Sequence, residues 1–363
     1  MKICFFHAGF SLHGGIERVL SVIVRKLSRK EDVDIFCVSL NKSEPLNFYL
    51  LPSNLKTDYL FEKPINMKKA LLKGGIIKLV KYLRTNQIDV IVACGVIYFP
   101  MACIGGKLAG TKVISWEHIN PACKDEFAFE GISRSFGARL SDMNVLISQE
   151  AKVYYENNFR KKKNIVIYNP ADDNLFDAES IYQINSMNLI SVGRLTYQKN
   201  YPLLIDIADK LLKKYNKWSW HIYGDGDQRD ELESMITDRG LVGKLVLMGT
   251  VDDLYDRYTK YAAIVMTSRY EGFPMVLIEA AAKGLPMISF DIPTGPKEII
   301  DDNVNGFLIP NCDKDGMLAK LECLVADSEL RNRLSGAAKI KAKSFNVDSI
   351  VNKWYKLFDE LVQ

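Results

Sequence analysis

The stretch AAIVMTSRYEGFPMVLIEAAAKGLPMISFD, residues 262–291, reads as strand, loop, helix and strand in immediate succession. The two flanking runs, 262–268 and 285–291, are short and apolar, as strands buried on both faces are. Between them Pro274 stands at the first-turn position that proline favours. The helix it opens carries Val276, Leu277, Ile278, Ala280, Ala281 and Ala282, apolar on every side and therefore expected to be buried. Strand, helix and strand in this order build a parallel sheet with the helix packed on its face.

Working outward, the same rhythm continues in both directions. NLISVGR (188–194), WSWHIYGDG (218–226) and KLVLMGT (244–250) precede the stretch, and GFLIP (306–310) follows it. The first half has its own set: ICFFH (3–7), VDIFCVSL (33–40), DVIVACG (89–95), KVISWEH (112–118), MNVLIS (143–148) and NIVIYNP (164–170). The expected fold class is α/β, with two Rossmann-like, doubly wound parallel-sheet domains facing a cleft. The polar, proline-punctuated NPADDNLFDAESIYQINS marks the boundary. We expect a first domain over 1–169, a linker over 170–186, a second domain over 187–345 and a terminal helix, 346–363, returning to the first domain.

Length and composition agree with this division. The 363 residues suit two cores of about 170 residues each better than one. Apolar residues make up 48%, charged residues 25%, and mean hydropathy is close to zero, which excludes disordered and membrane-spanning classes. No run approaches the roughly 20 apolar residues of a spanning helix. MKICFFHAGF is broken by His7 and Gly9 without a small-residue cleavage site, so it reads as a first buried strand and not an export signal. The seven cysteines (Cys4, Cys37, Cys94, Cys103, Cys123, Cys312, Cys323) form no C-x-x-C pair and read as reduced core thiols of a cytoplasmic protein. The net charge of +4 decides little, and no nucleic-acid partner is expected. Its distribution is uneven. Lys63, Lys68, Lys69, Lys73, Lys78, Lys81 and Arg84 stand in one acid-free segment, interleaved with leucine and isoleucine, and Arg160-Lys161-Lys162-Lys163 form a second basic run. Both suit an anionic surface; a solvated helix is the alternative.

Ligands of open parallel sheets bind outside the carboxyl ends of the strands, so the chemistry is sought in the loops that follow strands. After the first strand, Gly14 and Gly15 open a helix near Ile16. Paired glycines let backbone N–H groups approach a phosphate at a helix N-terminus, although a tight turn would use them equally. His7 and His13 read as structural. In SVGRLTYQKN, Gly193 ends a strand and Arg194 and Lys199 flank a short loop, two cations that would clamp a diphosphate if both point inward. On the apolar helix Glu279 needs donors, which ribose hydroxyls or a partner inside the core would supply. Glu271 lies on the loop before that helix.

The spacing Glu271-x7-Glu279, with Gly272, Phe273 and Pro274 after the first glutamate, resembles the E-x7-E motif of the retaining GT-B glycosyltransferases of family 4, of the type that builds bacterial surface polysaccharides. Gly14-Gly15, Gly193-Arg194 with Lys199, and YGDGD at 223–227 fall where that family has its other landmarks, so the resemblance spans nearly the whole chain. It implies that Glu271, Gly272, Phe273 and Pro274 hold the transferred sugar, that the amides of Met275 and Val276 lie near the diphosphate, and that Glu279 binds the ribose. Arg194 and Lys199 would neutralise the β-phosphate as the glycosidic bond breaks, and His118 would lie beside the sugar. Gly224 belongs to the glycine-rich turn after the second strand of the nucleotide domain, and Thr250 and Val251 pack near the base. The segment DIPTGPKEII departs from the GG-x-x-E usual there; Thr294 and Gly295 would touch the cleft.

The implied activity is hexosyl or N-acetylhexosaminyl transfer from a UDP-sugar to a saccharide or lipid-linked saccharide acceptor, with retention and without metal or other cofactor. Asp225-Gly226-Asp227 reads as a turn and not as a metal-binding D-x-D. The enzyme would be cytoplasmic, peripheral on the inner face of the membrane. A sugar-nucleotide epimerase would convert donor without acceptor. A two-domain sugar-binding protein of the periplasmic type would need an export signal. A dinucleotide oxidoreductase would want G-x-G-x-x-G after the first strand and an acid ending the second, where this chain has HGG and Ser39-Leu40.

Overall fold

A computed structural model describes residues 1–10, 15–42, 51–53, 55–119, 121, 128–159, 163–176 and 181–363. Gly14, His13, Cys123 and Arg160 to Lys162 lie outside these. The chain divides into two compact units, Met1–Pro170 with Val347–Gln363, and Ala171–Asn346.

The first unit holds strands β1 (Lys2–His7), β2 (Asp34–Asn41), β3 (Lys56–Phe61), β4 (Val90–Cys94), β5 (Lys112–Glu117), β6 (Met143–Leu146) and β7 (Asn164–Val166). Its helices are α1 (Gly15–Leu27), α2 (Met67–Leu72), α3 (Gly75–Asn86), α4 (Phe99–Ala109), α5 (Ala128–Leu140) and α6 (Gln149–Asn158). Among the described residues the sheet order is β3-β2-β1-β4-β5-β6-β7, and every pairing is parallel. Every residue of β4, VIVAC, is buried, because the unbroken apolar run faces helices on both sides of the sheet. Strand β3 was not anticipated. It is an edge strand whose Lys56, Thr57 and Asp58 are exposed, so it presents no apolar run to read.

The second unit holds β8 (Asn188–Val192), β9 (Ser219–Tyr223), β10 (Leu245–Gly249), β11 (Ala263–Met266), β12 (Met287–Asp291) and β13 (Gly306–Pro310). Its helices are α7 (Tyr201–Lys214), α8 (Arg229–Asp238), α9 (Leu254–Arg257), α10 (Met275–Ala282), α11 (Pro296–Ile299), α12 (Lys314–Ala326) and α13 (Ser328–Ala342). The order β10-β9-β8-β11-β12-β13 is again wholly parallel. The stretch anticipated as a linker is, in its described part, laid onto this unit. Ala171 bridges to Asn346, the Tyr182 hydroxyl donates to the Ala262 carbonyl at 2.7 Å, and Ser186 Oγ donates to the Lys260 carbonyl at 2.7 Å.

The last helix, α14 (Val347–Val362), belongs to the first unit. Its buried residues Val347, Ile350, Val351, Trp354, Leu357 and Phe358 recur at three- and four-residue intervals and form one apolar stripe. Trp354 meets the Trp116 ring of β5 edge-on at 4.9 Å, and Phe358 meets Phe5 of β1 at 6.4 Å. Cys4, Cys37, Cys94 and Cys103 are buried free thiols as expected, whereas Cys312 and Cys323 are exposed, on a turn and on the outer side of α12.

Because Trp354 is fully buried among rings, Trp354→Ala is expected to destabilise the first unit by about 3–5 kcal/mol in urea unfolding. A loss below about 1 kcal/mol would contradict the packing of α14.

Candidate active site

In the second sheet the strand order reverses between β8 and β11, so the crevice beyond their carboxyl ends is the place where a ligand would bind. Two loops meet there. One follows β8 and carries Lys199; the other follows β11 and carries Glu271. Lys199 Nζ lies 2.7 Å from Glu271 Oε1, and Ser268 Oγ donates to the same oxygen at 2.7 Å. Gln198 Nε2 donates to the Tyr270 carbonyl at 3.0 Å, and the Arg269 amide donates to the Gln198 carbonyl at 2.8 Å. Glu271 is 7% exposed, and a carboxylate so placed needs the cation and the hydroxyl that hold it.

Glycines make this approach possible. A Cβ on Gly193 would stand 2.7 Å from Lys199 Cε, so the lysine stem reaches Glu271 across a position that only glycine leaves open. A Cβ on Gly224 would stand 2.0 Å from the Gly193 carbonyl oxygen, and Gly224 has φ +136°. The turn after β9 is thereby laced to the loop after β8: Gly193 N–H donates to Tyr223 O and Leu195 N–H to Asp225 O, both at 2.9 Å. Asp225 and Asp227 are exposed, and Asp225 Oδ1 accepts from the Gly226 amide at 2.9 Å.

Helix α10 begins one residue later than the sequence suggested. Pro274 is its N-cap, with ψ 94°, and not its first turn. The chain stays extended there because it crosses the 293–295 turn: Thr294 Oγ1 donates to the Glu271 carbonyl, and Gly295 lies so close under Pro274 that a Cβ would come within 2.7 Å of its ring. Thr294 has φ +89°, a conformation costly for a β-branched residue. Phe273 is buried against Phe345, their rings 5.7 Å apart, while Gly272, Met275 and Val276 are only partly buried. Glu279 is fully buried as anticipated, and its Oε2 accepts from the Tyr258 hydroxyl at 2.9 Å. A donor for it therefore exists within the protein; that tyrosine carried no signal in a sequence reading centred on loops.

The remaining expected residues are not drawn into this cluster. Arg194 is exposed, and no side-chain partner is seen for it among the described residues. Lys199 is held by Glu271. Thr250 and Val251 follow β10 at the margin of the sheet, the first exposed and the second partly buried. In the first unit, Gly15 is exposed at the start of α1, with no atom within 4 Å of where its Cβ would be.

His118 is the residue that follows β5 in the first unit. Its ring lies 4.1 Å from that of Trp116, its Nε2 is enclosed without a hydrogen-bond partner among the described residues, and burial pulls its pKa down to about 3. Next to it is a cluster the sequence reading missed. Glu117 is fully buried; its Oε2 accepts from Arg134 Nε and from the Tyr155 hydroxyl, both at 2.9 Å, and its Oε1 accepts from the Ile119 amide at 3.2 Å. The acid thus ties α5 and α6 to the peptide that follows His118. The signal was available: a glutamate ending an apolar strand must find partners. His7, at the end of β1, is buried and neutral, its pKa lowered to about 4 with Nδ1 accepting from the Gly9 amide.

Comparison with known proteins places this geometry. Residues 183–341, nearly the whole second unit with its Lys199–Glu271 pair, match the family model of glycosyl transferases group 1. The chain carries a group 1 glycosyl transferase domain. The amylovoran biosynthesis glycosyltransferase AmsD of Erwinia amylovora is 28% identical, over 97% of this chain and 98% of its own. The Campylobacter jejuni GalNAc-alpha-(1->4)-GalNAc-alpha-(1->3)-diNAcBac-PP-undecaprenol alpha-1,4-N-acetyl-D-galactosaminyltransferase is 28% identical, over 99% of both. Among solved structures, Anabaena Alr3699/HepE in complex with UDP matches with a TM-score of 0.85 at 19% identity, covering 99% of this chain and 100% of that one. The glycosyltransferase thus has the GT-B fold, each unit Rossmann-like.

Two outcomes follow from the geometry. Gly224→Ala adds a backbone clash, about 1–3 kcal/mol, to the cost of a left-handed φ, about 1–2 kcal/mol. Gly240→Ala, at φ +65° in open surroundings, carries only the second, so urea unfolding should rank Gly224→Ala as the more damaging. The second outcome concerns pH. The unfolded histidines bind protons near the ordinary value of 6.5, the folded ones only near about 4 (His7) and about 3 (His118). Their contribution to stability is complete above pH 6.5 and declines as pH falls from there. The urea midpoint should drop between about pH 7.5 and about pH 5.5, and drop less in His118→Gln; equal drops would contradict a neutral His118 imidazole.

Proposed function

We propose that this glycosyltransferase moves a hexosyl or N-acetylhexosaminyl group from a UDP-sugar to a hydroxyl of a saccharide acceptor, with retention of configuration and without metal, in the assembly of a bacterial surface polysaccharide. The observation that carries the donor site is the Lys199–Glu271 pair at the β8/β11 switch point, beside the N-terminus of α10.

The chemistry needed is departure of a nucleoside diphosphate from the anomeric carbon. Negative charge grows on the β-phosphate as that bond breaks, and a fixed cation and oriented amides lower the barrier there. In this reading Lys199 and Arg194 supply the cations and the Met275 and Val276 amides the dipoles, since first-turn N–H groups lack an intrahelical acceptor. Glu271 accepts from hydroxyls of the transferred sugar and Glu279 from the ribose, alongside its bond to Tyr258. The family resemblance further assigns a phosphate contact to Gly15 and a sugar contact to His118, which is uncharged at neutral pH. The donor's own phosphate oxygen receives the acceptor proton.

UDP as the nucleotide is supported by the UDP complex of the Anabaena fold neighbour. A saccharide on a lipid diphosphate is supported by the acceptor in the name of the Campylobacter relative, and surface polysaccharide by that of the Erwinia relative. Retention rests on the family resemblance. Metal independence rests on the same resemblance. A membrane-borne acceptor places the enzyme on the inner membrane face, with the acid-free segment 63–84 toward anionic lipid; among the described residues no helix is long and apolar enough to cross a membrane.

Glu271→Ala and Lys199→Ala are each expected to lower turnover of UDP-sugar on the order of 100-fold while both variants stay folded by circular dichroism. Chelator should leave the wild-type rate unchanged. Wild-type rates in both variants would remove this site, and consumption of donor to its epimer without acceptor would replace transfer by epimerisation.

A further inference from the structure

Among the described residues, Leu72 is the most exposed large aliphatic side chain, at 88%, and Ile77, at 75%, follows five positions later. Leu72 ends α2 and Ile77 lies in the first turn of α3. The two helices bury other residues: Met67 and Ala70 from α2, Gly75, Leu79 and Leu83 from α3. The corner between them is rigidly made. Gly74 takes φ +76°, and Gly75 is pressed so close to Met101 and to the Ala70 carbonyl that a Cβ would come within 2.6 Å and 2.7 Å of them. Leu72 and Ile77 are therefore held in water by the fold itself.

Lysines surround them. Lys69 is one turn before Leu72, Lys73 follows it, and Lys81 is one turn after Ile77; all three are exposed, and no acid stands between Lys63 and Arg84. Two other cations of the segment are used within the unit: Lys78 Nζ donates to the Leu60 carbonyl at 2.9 Å and Arg84 to the Leu108 carbonyl at 2.6 Å. The outward lysines are the ones that flank the exposed aliphatics.

We infer that the α2–α3 corner is a membrane wedge, in which Leu72 and Ile77 enter the acyl boundary of an anionic leaflet while Lys69, Lys73 and Lys81 sit at the level of the lipid phosphates. This deepens the reading of a membrane-borne acceptor and rests on it. The occupant follows from the chemistry. A soluble polyanion would neutralise the lysines and leave both aliphatics in water. Protein interfaces are depleted in lysine, whereas here lysines ring two isolated aliphatics. An anionic bilayer satisfies both features, apolar depth at the tip and phosphate around it. The wedge also adds to what a basic segment alone provides, since salt screens the lysines and not the aliphatic contact.

The test is flotation of the full chain with vesicles of phosphatidylcholine alone or mixed with phosphatidylglycerol, at low and high salt. Wild type should bind the mixed vesicles and retain part of that binding at high salt. Leu72→Ser/Ile77→Ser should bind the mixed vesicles at least about tenfold more weakly and lose all binding at high salt, since burying one aliphatic side chain contributes about a factor of ten or more. Lys69→Gln/Lys73→Gln/Lys81→Gln should lose the preference for phosphatidylglycerol. Each variant should keep the wild-type thermal shift with UDP, which shows that it is folded. Wild-type binding by the Leu72/Ile77 variant, absence of wild-type binding, or equal capture of both proteins by soluble polyphosphate would each overturn the wedge. Vesicle binding without any UDP shift would instead count against the transferase reading and leave the wedge standing.

Discussion

The ion pair between Lys199 and Glu271 is the constraint around which the second unit is arranged. It joins the loops after β8 and β11, the two strands that flank the reversal of strand order. To form it, Gly193 must lack a side chain so that the lysine can pass, and Gly224 must lack one so that the backbone of Gly193 can sit where it does. From the other side the 293–295 turn holds the Glu271 carbonyl through Thr294, in a backbone conformation that a threonine adopts at a cost. Backbone strain is thus held beneath a largely buried charge pair.

A pair of this kind is not there for stability. Taking both charges out of water offsets most of what their attraction returns, and an apolar pair of similar volume would serve a core equally well. What it fixes is position. The lysine is held at a defined point by Glu271, which is what the proposed diphosphate contact requires. The first unit uses the same device in Glu117, which Arg134 and Tyr155 grip from two helices while its other oxygen holds the peptide after His118. In both units a buried carboxylate turns the end of a strand into a rigid platform.

Much of the fold was legible because parallel strands buried on both faces are written as unbroken apolar runs, and every such run named from the sequence became a strand. Strand β3 escaped because an edge strand with Lys56, Thr57 and Asp58 in water has no such run. In the site, Glu279 was legible from physics alone, as a carboxylate on a helix apolar all round. Glu271 and Lys199 were named singly, and their contact was not foreseen, since it depends on how far two loops lean toward each other. The start of α10 was misplaced by one residue because the turn that keeps Pro274 extended lies some twenty residues later in the chain. Glu117 was passed over for its neighbour His118, although its burial at the end of KVISWEH was the stronger physical signal.

The most direct test of the donor site is a crystal structure of the protein with UDP. The account predicts the diphosphate at the N-terminus of α10, with Lys199 Nζ on a phosphate oxygen and the Met275 and Val276 amides directed at it. A diphosphate bound elsewhere on the second unit, with Lys199 still engaged only by Glu271, would contradict it.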